Sequence, residues 1–398
     1  MGKGVSLVCP RCDERFSRTE RCDQHGTVLE LAIDEEVVRQ QFDPGTASRR
    51  DIWRYDALFP VDGDRPVTIG EGWTDTVPAP TLGQKLGIGL TVKREDANPT
   101  GSTKDRGSSV LSTHALEQEI TTVGCASTGN AAASMAAYAA RAGLTCHLFV
   151  PRRLPEAKGV QPLAYGAEVT AVDGDYGDAC RRCREVTINS NWIDRTAGAT
   201  PFVPAGARTL GYELAEQTPA VPEWVVIPMG NGGTLTAAWQ GWQTFASLGF
   251  VDSVPRFLGV QTESVSPIYD EYAGNDSDSR GKAIESESET TCADSIAVPT
   301  PHRDEEARDA IRESGGAIVR VSDEQIKRSI RQLGRCEGVF AEPASAATIA
   351  GIERAREQGA VDAGDRVVAV ITGSGLKDTD TARQSIESGR QFSSSGSR

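Results

Sequence analysis

The stretch KREDANPTGSTKDRGSS, residues 93–109, decides how the rest of this 398-residue chain is read. A strand ends near Lys93, Asn98-Pro99 and Gly101 set a turn, and a helix starts close to Lys104. A lysine at a helix N-terminus meets the positive end of the helix dipole, which disfavours its ammonium form. The free amine that results is the form that adds to a carbonyl carbon, so the position suits Schiff-base chemistry. A surface lysine that caps a turn would look the same on spacing alone, and the remainder of the chain has to separate the two.

Two strand–loop–helix junctions do so. Ser127-Thr128-Gly129-Asn130 follows a strand and precedes an alanine-rich helix, offering backbone N–H groups, small hydroxyls and an amide to an anion. Gly230-Asn231-Gly232-Gly233-Thr234 follows WVVIP (224–228) and precedes TAAWQGW, and its three glycines let the backbone wrap a phosphate at a helix N-terminus. This loop is neither a Walker A loop nor a G-x-G-x-x-G fingerprint, which argues against ATP and dinucleotides. Either junction alone could be a tight turn. Both of them beside a helix-start lysine form a constellation that chance rarely assembles.

The surrounding pattern is strand, Gly-containing loop, helix, repeated. TTVGCAS (121–127), CHLFVP (146–151) and AEVTAV (167–172) read as strands, and AAASMAAYAARAG (131–143) as a helix stopped at Gly143. WVVIP, RFLGVQ (256–261), AIVRV (317–321) and RVVAVIT (366–372) are short β-branched runs of the kind that buries on both faces of a parallel sheet. The implied class is α/β with right-handed crossovers. Residues 1–30 stand apart, 31–65 form a linker or arm marked by DPGTASRRD (43–51), and 66–385 carry the α/β pattern. The Ser- and acid-rich residues 270–295 read as an exposed loop and 386–398 as a disordered tail.

Composition narrows the class further. Apolar residues make up 38% and charged residues 25%, and the net charge of −14 gives a pI near 4.9. So acidic a surface disfavours nucleic acid and anionic membranes as partners. With no signal-peptide core and no long apolar run, a cytoplasmic location is expected. Only eight of the 42 basic residues are lysine, and an acidic, lysine-poor surface suits a salt-rich cytoplasm.

Residues 1–30 hold three of the nine cysteines and one of the four histidines. Cys9-x2-Cys12 and Cys22-x2-His25 are knuckle-like pairs, and three thiolates with an imidazole suit a closed, structural zinc site. Cys180-x2-Cys183 sits in a helix-like run without a second pair and reads as structural, and the scattered His114, His147 and His302 read as structural or exposed.

The segment 93–109 resembles the lysine motif of fold-type II pyridoxal phosphate (PLP) enzymes, and N-P-T-G-S-x-K-D-R-G is similar to its threonine synthase version. G-E-G-W-T (70–74), S-T-G-N (127–130), G-N-G-G-T (230–234), E-P-A-S (342–345) and I-T-G-S-G-L-K-D (371–378) resemble further landmarks of that family, in order and spacing. The resemblance covers roughly 66–380. It implies two α/β domains with PLP in the cleft between them, a smaller mobile subdomain at about 110–200, and a homodimer acting on a small amino acid. It also implies residue roles. Lys104 would hold the cofactor and shuttle protons, and Asn130 would bond the ring hydroxyl oxygen. Ser127, Thr128 and Gly129 would hold the substrate carboxylate, Gly230, Asn231, Gly232, Gly233 and Thr234 the cofactor phosphate, and Thr372 would face the pyridine nitrogen. Some threonine synthases carry a ribbon like that of residues 1–30.

The chain departs from this family pattern at the substrate. The usual Asn-Pro-x-Arg run, whose arginine grips the substrate phosphate, is Thr200-Pro201-Phe202-Val203 here, followed by Arg208-Thr209. Valine cannot donate hydrogen bonds to phosphate. Arg208 and Lys158 are the candidate replacements by sequence neighbourhood. Thr103 replaces an aromatic residue before the lysine, and Asp75-Thr76 replaces the usual Pro-Leu. The reading is threonine synthase, converting O-phospho-L-homoserine and water to L-threonine and phosphate. Its alternative is a sister PLP enzyme, an ammonia-lyase of a hydroxy- or diamino acid or a β-replacement synthase.

Overall fold

A computed structural model describes residues 4–17, 19–152, 156–274 and 291–394. Most of the expected acidic loop (275–290) and residues 395–398 of the expected tail lie outside the described residues, as does the side chain of Lys158. The last helix, Thr379–Ser394, takes in residues 386–394 of that tail segment.

The chain divides into two compact units. The first comprises Met1–Trp73, Asn98–Glu213 and Thr244–Phe250. Its main sheet is parallel, in the order Glu168–Val172, Thr145–Pro151, Thr122–Ala126 and Trp192–Asp194, with Gly124 opposite both His147 and Asp194. The helix Asn130–Ala142 ends where Gly143 turns left-handed (φ 71°), as the sequence predicts. The helix Tyr176–Ile188 packs its Cys183 and Thr187 against Gly124, so this cysteine is a core residue. The polar residues 43–51 are largely exposed, yet Ile52, Trp53, Tyr55, Leu58 and Phe59 immediately after them are buried. Tyr55 meets Tyr212 at 5.1 Å and Tyr212 stacks on Phe245 at 5.0 Å between ring centroids, so the arm supplies core to this unit.

A small antiparallel sheet, in the order Arg15–Phe16, Val5–Val8 and Glu30–Ile33, carries the N-terminal cysteines. Its two knuckles are built alike. Asp13 N donates to Cys9 O and Gly26 N to Cys22 O, and Asp13 (φ 57°) and Gly26 (φ 63°) each turn left-handed just past the second ligand.

The second unit comprises Thr74–Ala97, Leu214–Gln243 and Val251–Arg398. Five parallel strands run in the order Ala317–Val321, Arg256–Thr262, Trp224–Pro228, Arg366–Val370 and Gly89–Lys93, with Thr76–Pro78 antiparallel at the edge. Trp224–Pro228 is buried at every residue, which is why that segment shows no polar alternation. Helix Pro343–Glu357 presents Ala346, Ala347, Ile349 and Ala350 to the same core as Val226, Leu258 and Val260. Among the described residues no helix is long and apolar enough to cross a membrane.

Candidate functional site

Lys104 is the first residue of helix Lys104–Glu117, half-buried, with Thr103 as the cap. The turn before it is fastened from both ends. Asn98 Oδ1 accepts from Gly72 N at 2.9 Å, and Asp105 accepts from Thr100 N at 2.7 Å. Burial pushes the Asp105 carboxyl up to about 6, against the Thr100 hydrogen bonds that favour its charged form. Arg106 forms a fully buried pair with Glu213 and donates to Thr209 Oγ1 at 2.8 Å.

The helix that carries Lys104 lies directly on helix Phe202–Gln217. A Cβ on Gly206 would stand 2.1 Å from Arg106 O, and one on Gly107 would stand 2.9 Å from Val203 Cγ1 and Val203 O. Glycines at this crossing let two helix backbones touch. His114 stacks on Phe202 with ring centroids 3.6 Å apart, which gives that histidine a packing role. Val203 thus packs against the lysine helix at Gly107, three residues after Lys104. Arg208 is half-buried on the next turn of the same helix, where its charge acts on the Tyr212 hydroxyl.

The arm Gly70–Trp73 is held to the same helices. Gly70, Gly72 and Trp73 all have positive φ, and a Cβ on Gly72 would strike Ile52 and Glu213 Oε1. Glu71 is buried, and its Oε2 accepts from Thr68 Oγ1, Ile69 N and Tyr138 OH at 3.0, 3.0 and 2.7 Å. Tyr138 belongs to the helix that starts at Asn130, and Ser134 on that helix meets Ser108 at 2.8 Å. The first unit therefore brings Lys104 and the Ser127–Asn130 turn onto two interlocked helices. Within the turn, Gly129 N donates to Ser127 Oγ at 3.3 Å, and all four residues are half-buried. A Cβ on Gly129 would meet no atom within 4 Å, so the space beside that residue is open.

The second unit holds the other predicted residues. In Gly230–Thr234, Gly232 has φ 80°, and a Cβ there would come within 2.7 Å of Arg303 O and Ala307 Cβ. A Cβ on Gly230 would come within 3.1 Å of Ile296 Cα. This is a cradle of bare backbone at the start of helix Gly233–Ser247, with Asn231 Oδ1 accepting from His302 N at 3.2 Å. Thr372, at the end of strand Arg366–Val370, has its hydroxyl 2.9 Å from Ser345 Oγ. Ser345 also accepts from Gly373 N at 2.8 Å and donates to Gly373 O at 3.2 Å. Glu342 covers Gly373, where a Cβ would lie 2.4 Å from Glu342 Oε1. The two late motifs thus form one buried hydroxyl pair. Sequence reading names Thr372 alone, because the pairing with Ser345 joins segments 27 residues apart. These donors fit PLP. The cradle offers N–H groups to a phosphate, and neutral hydroxyls suit a pyridine nitrogen that is not fully protonated.

In the ribbon, the Cys9, Cys12 and Cys22 sulfurs and a His25 ring nitrogen all lie within 4.8 Å of one another. Cys12–Cys22 is 3.9 Å, and Cys9 and Cys22 stand 3.7 and 3.4 Å from His25 Nδ1. Those spacings fit a tetrahedral zinc with bonds of about 2.0–2.3 Å.

Known proteins share these features. Residues 67–373 match the family described as pyridoxal-phosphate dependent enzyme. The chain is similar to threonine synthase of Methanocaldococcus jannaschii, 36% identical over 95% of this chain and 94% of that one. It is also similar to threonine synthase of Synechocystis sp., 38% identical over 84% of each. In fold it resembles diaminopropionate ammonia lyase from Escherichia coli, with a TM-score of 0.68 and 17% identity over 81% of this chain and 89% of that one. None of these likenesses supports reading the acidic surface as an adaptation to salt.

Proposed function

The chain belongs to the pyridoxal-phosphate dependent enzymes of fold type II, in their threonine synthase branch, and we infer that it converts O-phospho-L-homoserine and water to L-threonine and phosphate. The likeness to threonine synthase along almost the whole chain carries the reading. When bound, PLP draws electrons from the substrate's α-carbon and so eases proton loss there. The residues of this chain supply the rest.

In this reading Lys104 holds the cofactor through its Nζ and afterwards moves protons at the substrate's carbons. Asn130 orients the cofactor through its ring hydroxyl oxygen, and Gly230, Asn231, Gly232, Gly233 and Thr234 take its phosphate on backbone and side-chain donors. Thr372, backed by Ser345, meets the pyridine nitrogen with a neutral hydroxyl, which leaves proton transfer by Lys104 to do more than it would beside an aspartate. Ser127, Thr128 and Gly129 take the substrate carboxylate. Arg208 contributes positive charge for the substrate phosphate. Cys9, Cys12, Cys22 and His25 hold one structural zinc with no open ligand position. The enzyme works as a cytoplasmic homodimer.

The test is release of inorganic phosphate from O-phosphohomoserine by the purified protein, set against release of ammonia and keto acid from serine or threonine. Val203, at the family's arginine position, is the observation that favours a sister ammonia-lyase. If Arg208→Ala is silent and an uncharged amino acid is the better substrate, that second reading takes over.

A further inference from the structure

Arg195 is a buried cation that the roles above leave unexplained. It follows strand Trp192–Asp194, which lies beside Thr122–Ala126, the strand that leads into the Ser127–Asn130 turn. Its backbone N–H donates to Gly124 O at 2.8 Å, and the hydroxyl of Thr196 accepts from Ala126 N at 3.0 Å. The residue is therefore fixed at the root of that turn. Only 4% of Arg195 is exposed, and its Nε is buried without a hydrogen-bond partner. Among the described residues no carboxylate forms an ion pair with it. The adjacent acid, Asp194, is engaged with Thr196 N at 2.8 Å and Cys183 Sγ at 3.6 Å.

The Arg195 charge acts on groups beside the strand end that leads into the turn. Burial pushes the Cys125 thiol up to about 12, with Arg195 pulling the other way. Burial also raises Tyr176, again against Arg195, and the Tyr176 hydroxyl donates to Ala126 O at 3.3 Å, one residue before Ser127. Arg106 in the same unit shows what a structural buried arginine looks like, with both carboxylate oxygens of Glu213 on it. A buried guanidinium with no such partner is costly, and the cost is offset when an anionic ligand supplies the missing charge.

We propose that Arg195 binds the phosphate dianion of the substrate, taking the part that Val203 cannot. The proposal rests on the threonine synthase reading. The ligand chemistry is an oxyanion. Phosphate is the better assignment than carboxylate because Ser127, Thr128 and Gly129 are already assigned to the carboxylate, whereas a dianion calls for a full, fork-shaped cation.

The test compares holoenzyme of the wild type, Arg195→Met and Arg195→Lys. Arg195→Met should raise KM for O-phosphohomoserine by about thirtyfold or more with little change in kcat. Arg195→Lys should recover part of that loss. Inorganic phosphate should raise the melting temperature of the wild type and not that of Arg195→Met. Without phosphate, Arg195→Met should melt no lower than the wild type. Binding of L-homoserine, which keeps the carboxylate and lacks the phosphate, should be unchanged when followed by cofactor absorbance. The proposal is overturned if Arg195→Met keeps its KM and its phosphate stabilisation. It is overturned equally if that variant fails to fold, which would make the arginine structural, or if it loses L-homoserine binding to the same degree, which would make it a carboxylate ligand. Should the wild type not turn over O-phosphohomoserine at all, the proposed reaction fails. The phosphate-dependent melting shift then still decides the role of Arg195.

Discussion

Arg106 and Glu213 are joined by two hydrogen bonds of 2.5 and 2.7 Å with both side chains wholly buried, and Glu213 Oε1 also accepts from Trp73 N at 2.7 Å. One carboxylate thereby ties the lysine helix, the helix Phe202–Gln217 and the arm Gly70–Trp73 together. Removing either partner leaves the other charge buried and alone, which costs about 3–5 kcal/mol. Glu213→Gln should accordingly lower unfolding free energy by that order in urea titration and reduce turnover along with it. A loss below about 1 kcal/mol would mean that the pair does not hold the lysine helix in place.

Asp105 gives the fold a pH dependence of predictable sign. Its carboxyl sits at about 6 in the folded chain and near 3.8 otherwise, so between those values the folded state binds the extra proton. Stability from this group therefore falls as pH rises from about 4 to 6, by roughly 3 kcal/mol in all. Asp105→Asn, which stays neutral and can still accept from Thr100 N, should gain stability relative to the wild type progressively across that window. Urea titrations at pH 4, 5, 6 and 7 check this, and a difference independent of pH would contradict it.

The local sequence was sufficient for whatever is built locally. The strand ending at Lys93, the helix starting at Lys104, the stop at Gly143 and the strand–turn–helix junctions at 127–130 and 230–234 each rest on a few adjacent residues with strong backbone preferences, and each is found where it is expected. The knuckle spacings likewise bring four ligands together. What could not be read depends on distant partners. Arg106 and Glu213 are 107 residues apart, and nothing near either one announces the other. Arg195 is unusual only for what it lacks, a carboxylate, and that shows only once the chain has folded. The two units interleave segments from across the chain, so the arm after DPGTASRRD reads as a linker although Trp53, Tyr55 and Phe59 are core.

The ribbon predicts a metal dependence separate from catalysis. Cys22→Ser removes a central ligand, since Cys22 lies 3.4 Å from His25 Nδ1 and 3.9 Å from Cys12 Sγ. Elemental analysis should find one zinc per chain in the wild type and about none in the variant, with the yellow colour of the cofactor retained. Equal zinc in both proteins would place the metal elsewhere.

The attachment of the cofactor to Lys104 is the claim on which the rest depends. Borohydride reduction of the holoenzyme fixes PLP to whichever amine carries it, and peptide mapping then identifies that residue. The label should fall on the peptide containing Lys104, and Lys104→Ala should yield neither label nor turnover. A label on Lys93, Lys377 or any other lysine would contradict the account.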